Sequence, residues 1–463
     1  MAISAPPFRG PTPLGPQSVW RVFILLSGIC FLFIHPWELA AQSGVTADHS
    51  SEPSPKNDSD LPNVDWSVDW KITRSRPGYP LLRQAQHFMV QPPGKQFGAY
   101  HHHPQITYSN GIYFVAWSNH PTGEDGPGQA ILGAYSVDGQ KWSEMGELFA
   151  KQDRTKPSNE FGRSLLASPF IVVKNRVFAV AMMNDSIGYG AYHSPVNGTP
   201  QSKIRTDEFP KRIRKGLGFL LRELPTSVDS LKAKKCGVTF WMGQSLPTPK
   251  PGFSFAVAKD VLPQSLIGLL RAQMYSPAKK SPWDFELPDA EPIAKDGSPL
   301  CEPCTGQTDD GLLIRYFRDL AKSQKLYVQF SRDQGRTWTS ATRTNIPDAP
   351  SKSVFGRLPD GQYFLVGNQV VSKRGTRRDP LTIGLSPDGT TFHRAYSIRW
   401  RTPAFRVPKQ QEQRDGRGRG FQYPSFVIAD GHLYIVYSVN KESIECSRIP
   451  LSALAAQQTD PNQ

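Results

Sequence analysis

The chain is poor in cysteine, with five in 463 residues, and poor in acidic residues, with 40 against 54 basic ones. It also lacks any apolar run of the roughly 20 residues that a membrane-spanning helix needs. Each absence excludes something. A chain of this length buries a large core, so it needs no disulfide framework to fold. Cys301-x-x-Cys304 has no second Cys or His pair at ligand spacing, so no metal site is expected. No finger, homeodomain or RNP-type pattern accompanies the net charge of +14, which argues against nucleic acid as a partner. The charge instead fits a polyanion. An acidic oligo- or polysaccharide is the expected partner, no cofactor is expected, and the oligomeric state is left open.

The longest apolar stretch, Val22 to Ile34, follows Arg9 and Arg21 and precedes Leu39-Ala40-Ala41-Gln42. That order reads as a signal peptide over 1–41, cut near Ala41, and hence as a secreted or periplasmic protein with no stable membrane span. Residues 42–65 read as a polar, Pro-containing linker. Loss of Cys30 would leave Cys236, Cys301, Cys304 and Cys446, which allow two disulfides in any of three pairings, or free thiols.

What the chain does have is aromatic residues (11%), 38 Gly and 42 Pro, a composition suited to many short strands and turns. One segment is especially regular: Ser331-x-Asp333-x-Gly335-x-Thr337-Trp338. Here an Asp can accept hydrogen bonds from the amides of its own turn. The Gly supplies backbone angles that other residues avoid, and the Trp folds back as an apolar plug. Weaker copies stand at Tyr135-Ser136-Val137-Asp138-Gly139-Gln140-Lys141-Trp142 and at Leu385-Ser386-Pro387-Asp388-Gly389-Thr390-Thr391-Phe392. A recurring hairpin of this kind is the mark of a β-propeller.

Alternating apolar runs around these turns predict strand meanders at Tyr100–Phe149, Ser168–Met183, Gly311–Phe330, Ser353–Phe392 and Phe421–Ile449. Such sheets cannot bury both faces alone, and radial stacking solves this. The predicted fold is all-β: a six-bladed propeller of four-stranded antiparallel blades over 66–455. A basic, partly helical insertion over about 195–281 includes Gly218–Arg222 and Leu262–Met274.

Polar residues fall at regular places relative to the three motifs, and in this the chain resembles the sialidase (neuraminidase) superfamily of Asp-box propellers, from about residue 98 to 450. Glu302, in Cys-Glu-Pro-Cys, precedes Arg318 and then the second motif. Arg378 precedes the third. Tyr423, in Gln-Tyr-Pro-Ser, follows it, and Asp125 lies in the loop before the first. The resemblance implies a retaining hydrolase for a sialic- or uronic-acid glycan. Tyr423 would be the nucleophile, Glu302 would take its proton, and Asp125 would protonate the leaving oxygen. Arg318 and Arg378 would grip the carboxylate through their planar forks. Each residue also has a plainer reading: surface ion pairs for the arginines, a core aromatic for Tyr423, turn chemistry for Asp125.

One departure concerns the first carboxylate-binding Arg of the family. The matching segment reads Tyr100-His101-His102-His103-Pro104, which puts His102 in that place. Neutral His binds a carboxylate only weakly. His102 or His103 with Tyr423 and Arg318 would also serve a polysaccharide lyase, in which Arg neutralises a uronate and His or Tyr removes the adjacent proton. A third alternative is a glycan-binding propeller without catalysis.

Overall fold

A computed structural model describes residues 61–455, apart from 73–76, 95–97, 122, 124–127, 153–161, 187–213, 234–235, 244–255, 275–292, 322, 372–377 and 408–418. The expected signal peptide and most of the linker lie outside the described residues. Short antiparallel sheets follow one another along the chain. Blade I comprises Tyr100–Ser109, Ile112–His120, Ala130–Ser136 and Ser143–Phe149. Blade II has Gly162–Val173, Arg176–Ser186, Arg214–Leu224 and Thr239–Gly243, with Ala256–Val257 added in parallel at its edge. Blade III is Leu300–Gln307, Leu313–Asp319, Lys325–Ser331 and Thr342–Pro347. Blade IV is Val354–Arg357, Tyr363–Gly367, Leu381–Ser386 and Arg394–Arg399. Blade V takes Phe421–Ala429, His432–Val439 and Ser443–Pro450 from the C-terminal end, and its outer strand, Gln86–Gln91, from the N-terminal end. That antiparallel pairing ties the start of the propeller to its end.

Burial follows position within a blade. Second strands such as Ile112–His120 and Tyr363–Gly367 are almost continuously buried because neighbouring blades cover both faces. Outer strands such as Gln86–Gln91 and Thr342–Pro347 are exposed or half-buried over their first four residues and buried only at the last two. Large rings fill the space between blades, among them Trp117, Trp241, Tyr316 and Phe178. Each contributes about 2–3 kcal/mol of apolar burial.

The three Asp motifs join the third and fourth strands of blades I, III and IV. In each, the Asp carboxylate accepts amides of its own turn: Gln140 and Lys141 on Asp138, Thr337 on Asp333, Thr390 and Thr391 on Asp388. The motif Ser also donates to that carboxylate at 2.8–2.9 Å and accepts from the Gly amide. Trp338 covers the turn, donating to the Gly335 carbonyl, with the Arg315 guanidinium 3.7 Å from its ring centre.

Six blades were expected; among the described residues there are five. The five strand meanders read from the sequence correspond to these five blades, and no further meander stood behind the sixth; residues 214–243, expected in the insertion, complete blade II. Gly218–Arg222 was expected to be helical, yet it lies in the third strand of blade II. Leu220 and Leu224 pack into one core cluster, Phe219 and Leu221 into another. A strand buried on both faces shows the same unbroken apolar run as a buried helix, so periodicity cannot separate them. The helix Gln264–Met274 does form, packs against the first strand of blade II, and adds Leu266 and Leu270 to the core cluster that holds Ile171 and Val173. None of Cys236, Cys301, Cys304 and Cys446 is in a disulfide, which is the thiol reading of the two left open by the sequence.

Candidate active site

In an antiparallel blade the first strand begins, and the second ends, at the same end of the propeller. The third strand ends at the other, so the Asp motifs and the starts of the inner strands occupy opposite ends. Three inner strands begin with the same device. In blades I, III and V the ladder register slips between His102 and Gln105, Cys301 and Cys304, and Gln422 and Ser425. At each slip a residue of positive φ precedes a proline: His103 (φ 53°), Glu302 (φ 51°) and Tyr423 (φ 56°). A residue before proline is restricted toward extended conformations. A left-handed one is strained by about 1–3 kcal/mol. Proline within a strand is confined to edges, first positions and such bulges, because it donates no ladder bond. The strain turns these side chains out of the regular inward–outward alternation of a strand.

The three converge. The Tyr423 hydroxyl donates a short hydrogen bond to Glu302 Oε1. Arg318, paired across the ladder with Cys301, donates Nη1 to Glu302 Oε2 at 2.8 Å and to the Tyr423 hydroxyl at 3.3 Å. The side chains of Arg318 and Glu302 are only 19% and 15% exposed. Burial alone would raise the Glu302 pKa, but the Arg318 charge, the Tyr423 hydroxyl and Arg378 outweigh it and hold the carboxyl below its ordinary range. Glu302 is therefore an anion at neutral pH, positioned to accept the phenolic proton.

Arg378, in the segment leading into the third strand of blade IV, donates Nε to the Pro350 carbonyl at 3.0 Å and Nη1 to Gln422 Oε1. Its guanidinium lies 5.5 Å from the centre of the Tyr423 ring. His102 and His103 pack on the same ring, at 4.1 and 5.1 Å between centroids. His102 is fully buried and bonded through Nδ1 to Ser438 Oγ at 2.6 Å. His101 points elsewhere and receives the Trp117 indole at 3.0 Å. By position in the bulge, the counterpart of Glu302 and Tyr423 on blade I is His103, not His102.

Tyr423, Glu302, Arg318, Arg378, His102 and His103 thus lie in one cluster. Asp125 lies outside the described residues. Gln422 and Asp348 were missed in the sequence. Asp348, in the turn from blade III to blade IV, is 1% exposed, and neither carboxylate oxygen has a hydrogen-bond partner among the described residues. Burial raises its pKa to about 7 against the pull of Arg318 and Arg378. At 1% exposure it does not reach a substrate, so it is no replacement for Asp125.

Together the blades and their Asp motifs define the class: a β-propeller of four-stranded antiparallel blades. Residues 272–435 match the BNR repeat-like domain family. A solved structure titled sialidase superimposes with a TM-score of 0.59 at 20% identity, covering 81% of this chain and 33% of that one. A Dyadobacter fermentans protein of unknown function gives a TM-score of 0.43 at 15% identity, covering 79% and 98% of the two chains. Trypanosoma rangeli sialidase in complex with sialic acid gives 0.43 at 14% identity, covering 81% and 60%. No curated protein matches the sequence. The chain spans about a third of the length of the first of these sialidases and has the sialidase fold.

Proposed function

We propose that this propeller is a glycoside hydrolase of sialidase type acting on an acidic glycan, with Tyr423 as nucleophile. The observation that carries the reading is the Tyr423–Glu302–Arg318 contact set. A phenol is a weak nucleophile at its ordinary pKa near 10 unless a neighbouring base removes its proton. Glu302 is that base, kept ionised by Arg318. As the Tyr423 oxygen attacks the anomeric carbon, its proton passes to Glu302. The leaving oxygen takes a proton from Asp125, the acid assigned by resemblance, and water then releases the sugar from Tyr423. Arg378 and Arg318 supply the positive charge that a sugar carboxylate needs.

The histidines favour a second reading. His102 and His103 lie against Tyr423, which places imidazoles in one cluster with two guanidiniums, the groups that β-elimination from a uronate requires. A panel of sialosides and uronate polysaccharides separates the two. Free sialic acid or new reducing ends without ultraviolet-absorbing product supports the hydrolase; an unsaturated uronate identifies the lyase. Binding without turnover overturns both in favour of a lectin-like propeller.

A further inference from the structure

Residues 400–407 leave the fourth strand of blade IV, which ends where inner strands begin, so they emerge at the end of the propeller that holds the site. The reaction proposed above does not use this strap, yet it is fixed at both ends. Asp379, which follows Arg378, accepts the Arg401 amide on Oδ1 at 3.1 Å and the Thr402 amide on Oδ2 at 2.9 Å. Glu442, in the turn after the second strand of blade V, accepts the amides of Arg406 and Val407 on its two oxygens, each at 2.9 Å. Asn440 donates to the Pro403 carbonyl at 3.0 Å, and Arg419 to the Thr402 carbonyl at 3.3 Å. Asp379 and Glu442 are 7% and 3% exposed, and hydrogen bonds to ionised acceptors are the strong ones. The backbone of Arg378 is held in turn by the start of blade V: its amide donates to the Arg419 carbonyl at 3.3 Å, and its carbonyl accepts the Phe421 amide at 2.8 Å. One residue, Asp379, therefore joins the strap to an arginine of the site.

The strap presents a cation supported by an aromatic. The Arg401 guanidinium lies over the Trp400 indole, 4.4 Å from its centre; Arg401 is exposed and Trp400 half-buried. Among the described residues no carboxylate pairs with Arg401, whereas Arg399, two residues earlier, is bonded to Glu445 at 3.0 Å. Arg401 also has φ 63°. Glycine takes that angle without steric cost and other residues oppose it. The long cationic side chain stands there against its backbone preference, as strained residues at ligand sites do. We propose that Arg401, held by Trp400, is a second anion subsite beside Arg378, for the carboxylate or sulfate of the neighbouring sugar in an acidic oligosaccharide. The planar fork suits such a group, and the indole restrains a side chain that would otherwise lose much rotamer freedom on binding. The subsite rests on the acidic-glycan reading and narrows it: the substrate is a chain with at least two acidic units, not a single acid on a neutral glycan.

The test compares chain lengths. N-acetylneuraminate and its trimer, and galacturonate and its tetramer, are titrated calorimetrically into the full chain carrying Tyr423→Phe, which prevents hydrolysis, and into the same protein with Arg401→Gly. The oligomer of the preferred sugar should bind the parent about tenfold more tightly than its monomer, the gain from one added guanidinium–anion pair. Arg401→Gly should cut that gain to about twofold or less while leaving the monomer Kd unchanged. Glycine suits φ 63°, so Arg401→Gly should unfold on heating no earlier than its parent, and its loss of the gain is then not a folding defect. A gain that survives Arg401→Gly overturns the subsite, and so does a parent that binds monomer and oligomer equally; both results leave the acidic-glycan reading standing. Failure of all four sugars to bind the parent overturns that reading and the subsite with it.

Discussion

Replacing Tyr423 by Phe removes one oxygen and almost no volume, yet leaves Glu302 Oε1 without its donor in a site whose carboxylate side chain is 15% exposed. Hydrogen bonds to buried charged groups contribute about 1.5–3 kcal/mol, so Tyr423→Phe should lower stability by about 2 kcal/mol at pH 7. Glu302→Gln removes the charge that Arg318 pairs with, at a cost of about 3 kcal/mol. In that background the Tyr423 hydroxyl meets a neutral amide and is worth about 1 kcal/mol or less. The double-mutant cycle, measured by urea unfolding, should therefore give a coupling energy of about 1–2 kcal/mol. The pH dependence has a fixed sign. The folded pKa of Glu302 lies below its ordinary 4.5, so the contribution is complete above that value and is lost as pH falls through the folded pKa. The Tyr423→Phe deficit should thus be constant from pH 5 to 8 and shrink in stronger acid. If Glu302 is the base for Tyr423, Glu302→Gln also lowers kcat by about 10²–10⁴ on whichever substrate is turned over. A coupling energy within experimental error of zero would refute the contact, and with it the assignment of nucleophile and base.

Two further outcomes follow from packing and burial. At Gly139 (φ +66°) a Cβ would lie 2.3 Å from the ring of Tyr434, itself 1% exposed, so Gly139→Ala should cost about 3 kcal/mol from backbone strain and overpacking. Gly111→Ala, with φ +75° and nothing within 4 Å of the added carbon, should cost only about 1 kcal/mol, and equal losses for the pair would contradict the Tyr434 contact. The Asp348 carboxyl, raised from 3.8 to about 7, takes stability away as pH climbs between those values, because the unfolded chain releases its proton first. Asp348→Asn should accordingly gain on the wild type by up to about 4 kcal/mol between pH 4 and pH 8. A pH-independent difference between the two proteins would place the Asp348 pKa near its ordinary value.

Much of the fold was legible because the Asp motif is local chemistry. An Asp that binds its own turn, a Gly of positive φ and an aromatic cover require no distant partner, so Ser331–Trp338 announces its hairpin from sequence alone. Blade II has no such motif, and its third strand, buried on both faces, carries an apolar run that a helix would share. That is why its third strand was assigned to a helical insertion. The cluster of Glu302, Arg318, Arg378 and Tyr423 was readable as an order of polar residues at strand ends. The proline that follows His103, Glu302 and Tyr423 was a readable signal too, since proline inside a strand pattern marks a bulge. Asp348 was not readable. Between Pro347 and Pro350 it has the composition of a solvated turn, and its burial is made by Gln324, Asn368 and Arg378, each from a different part of the chain.

The two ends of the propeller carry opposite local energetics, and this bears on how the site persists. At the end with the Asp motifs, side chains satisfy their own turns: Asp333 accepts from Ser331 and Thr337, and its carboxyl is held at about 2 by those bonds. At the other end, three strained residues, a buried ion pair and an unbonded carboxyl are held together. No local sequence would choose that arrangement, because each left-handed residue before proline opposes its own backbone preference. It is maintained only because the strands running down from the bulges are locked between blades by buried residues such as Leu300, Phe317, Phe421 and Tyr437. The same locking leaves His103, Glu302 and Tyr423 little freedom to relax when a ligand is absent. A site built this way is organised before binding, and its cost is met by the core rather than by the substrate.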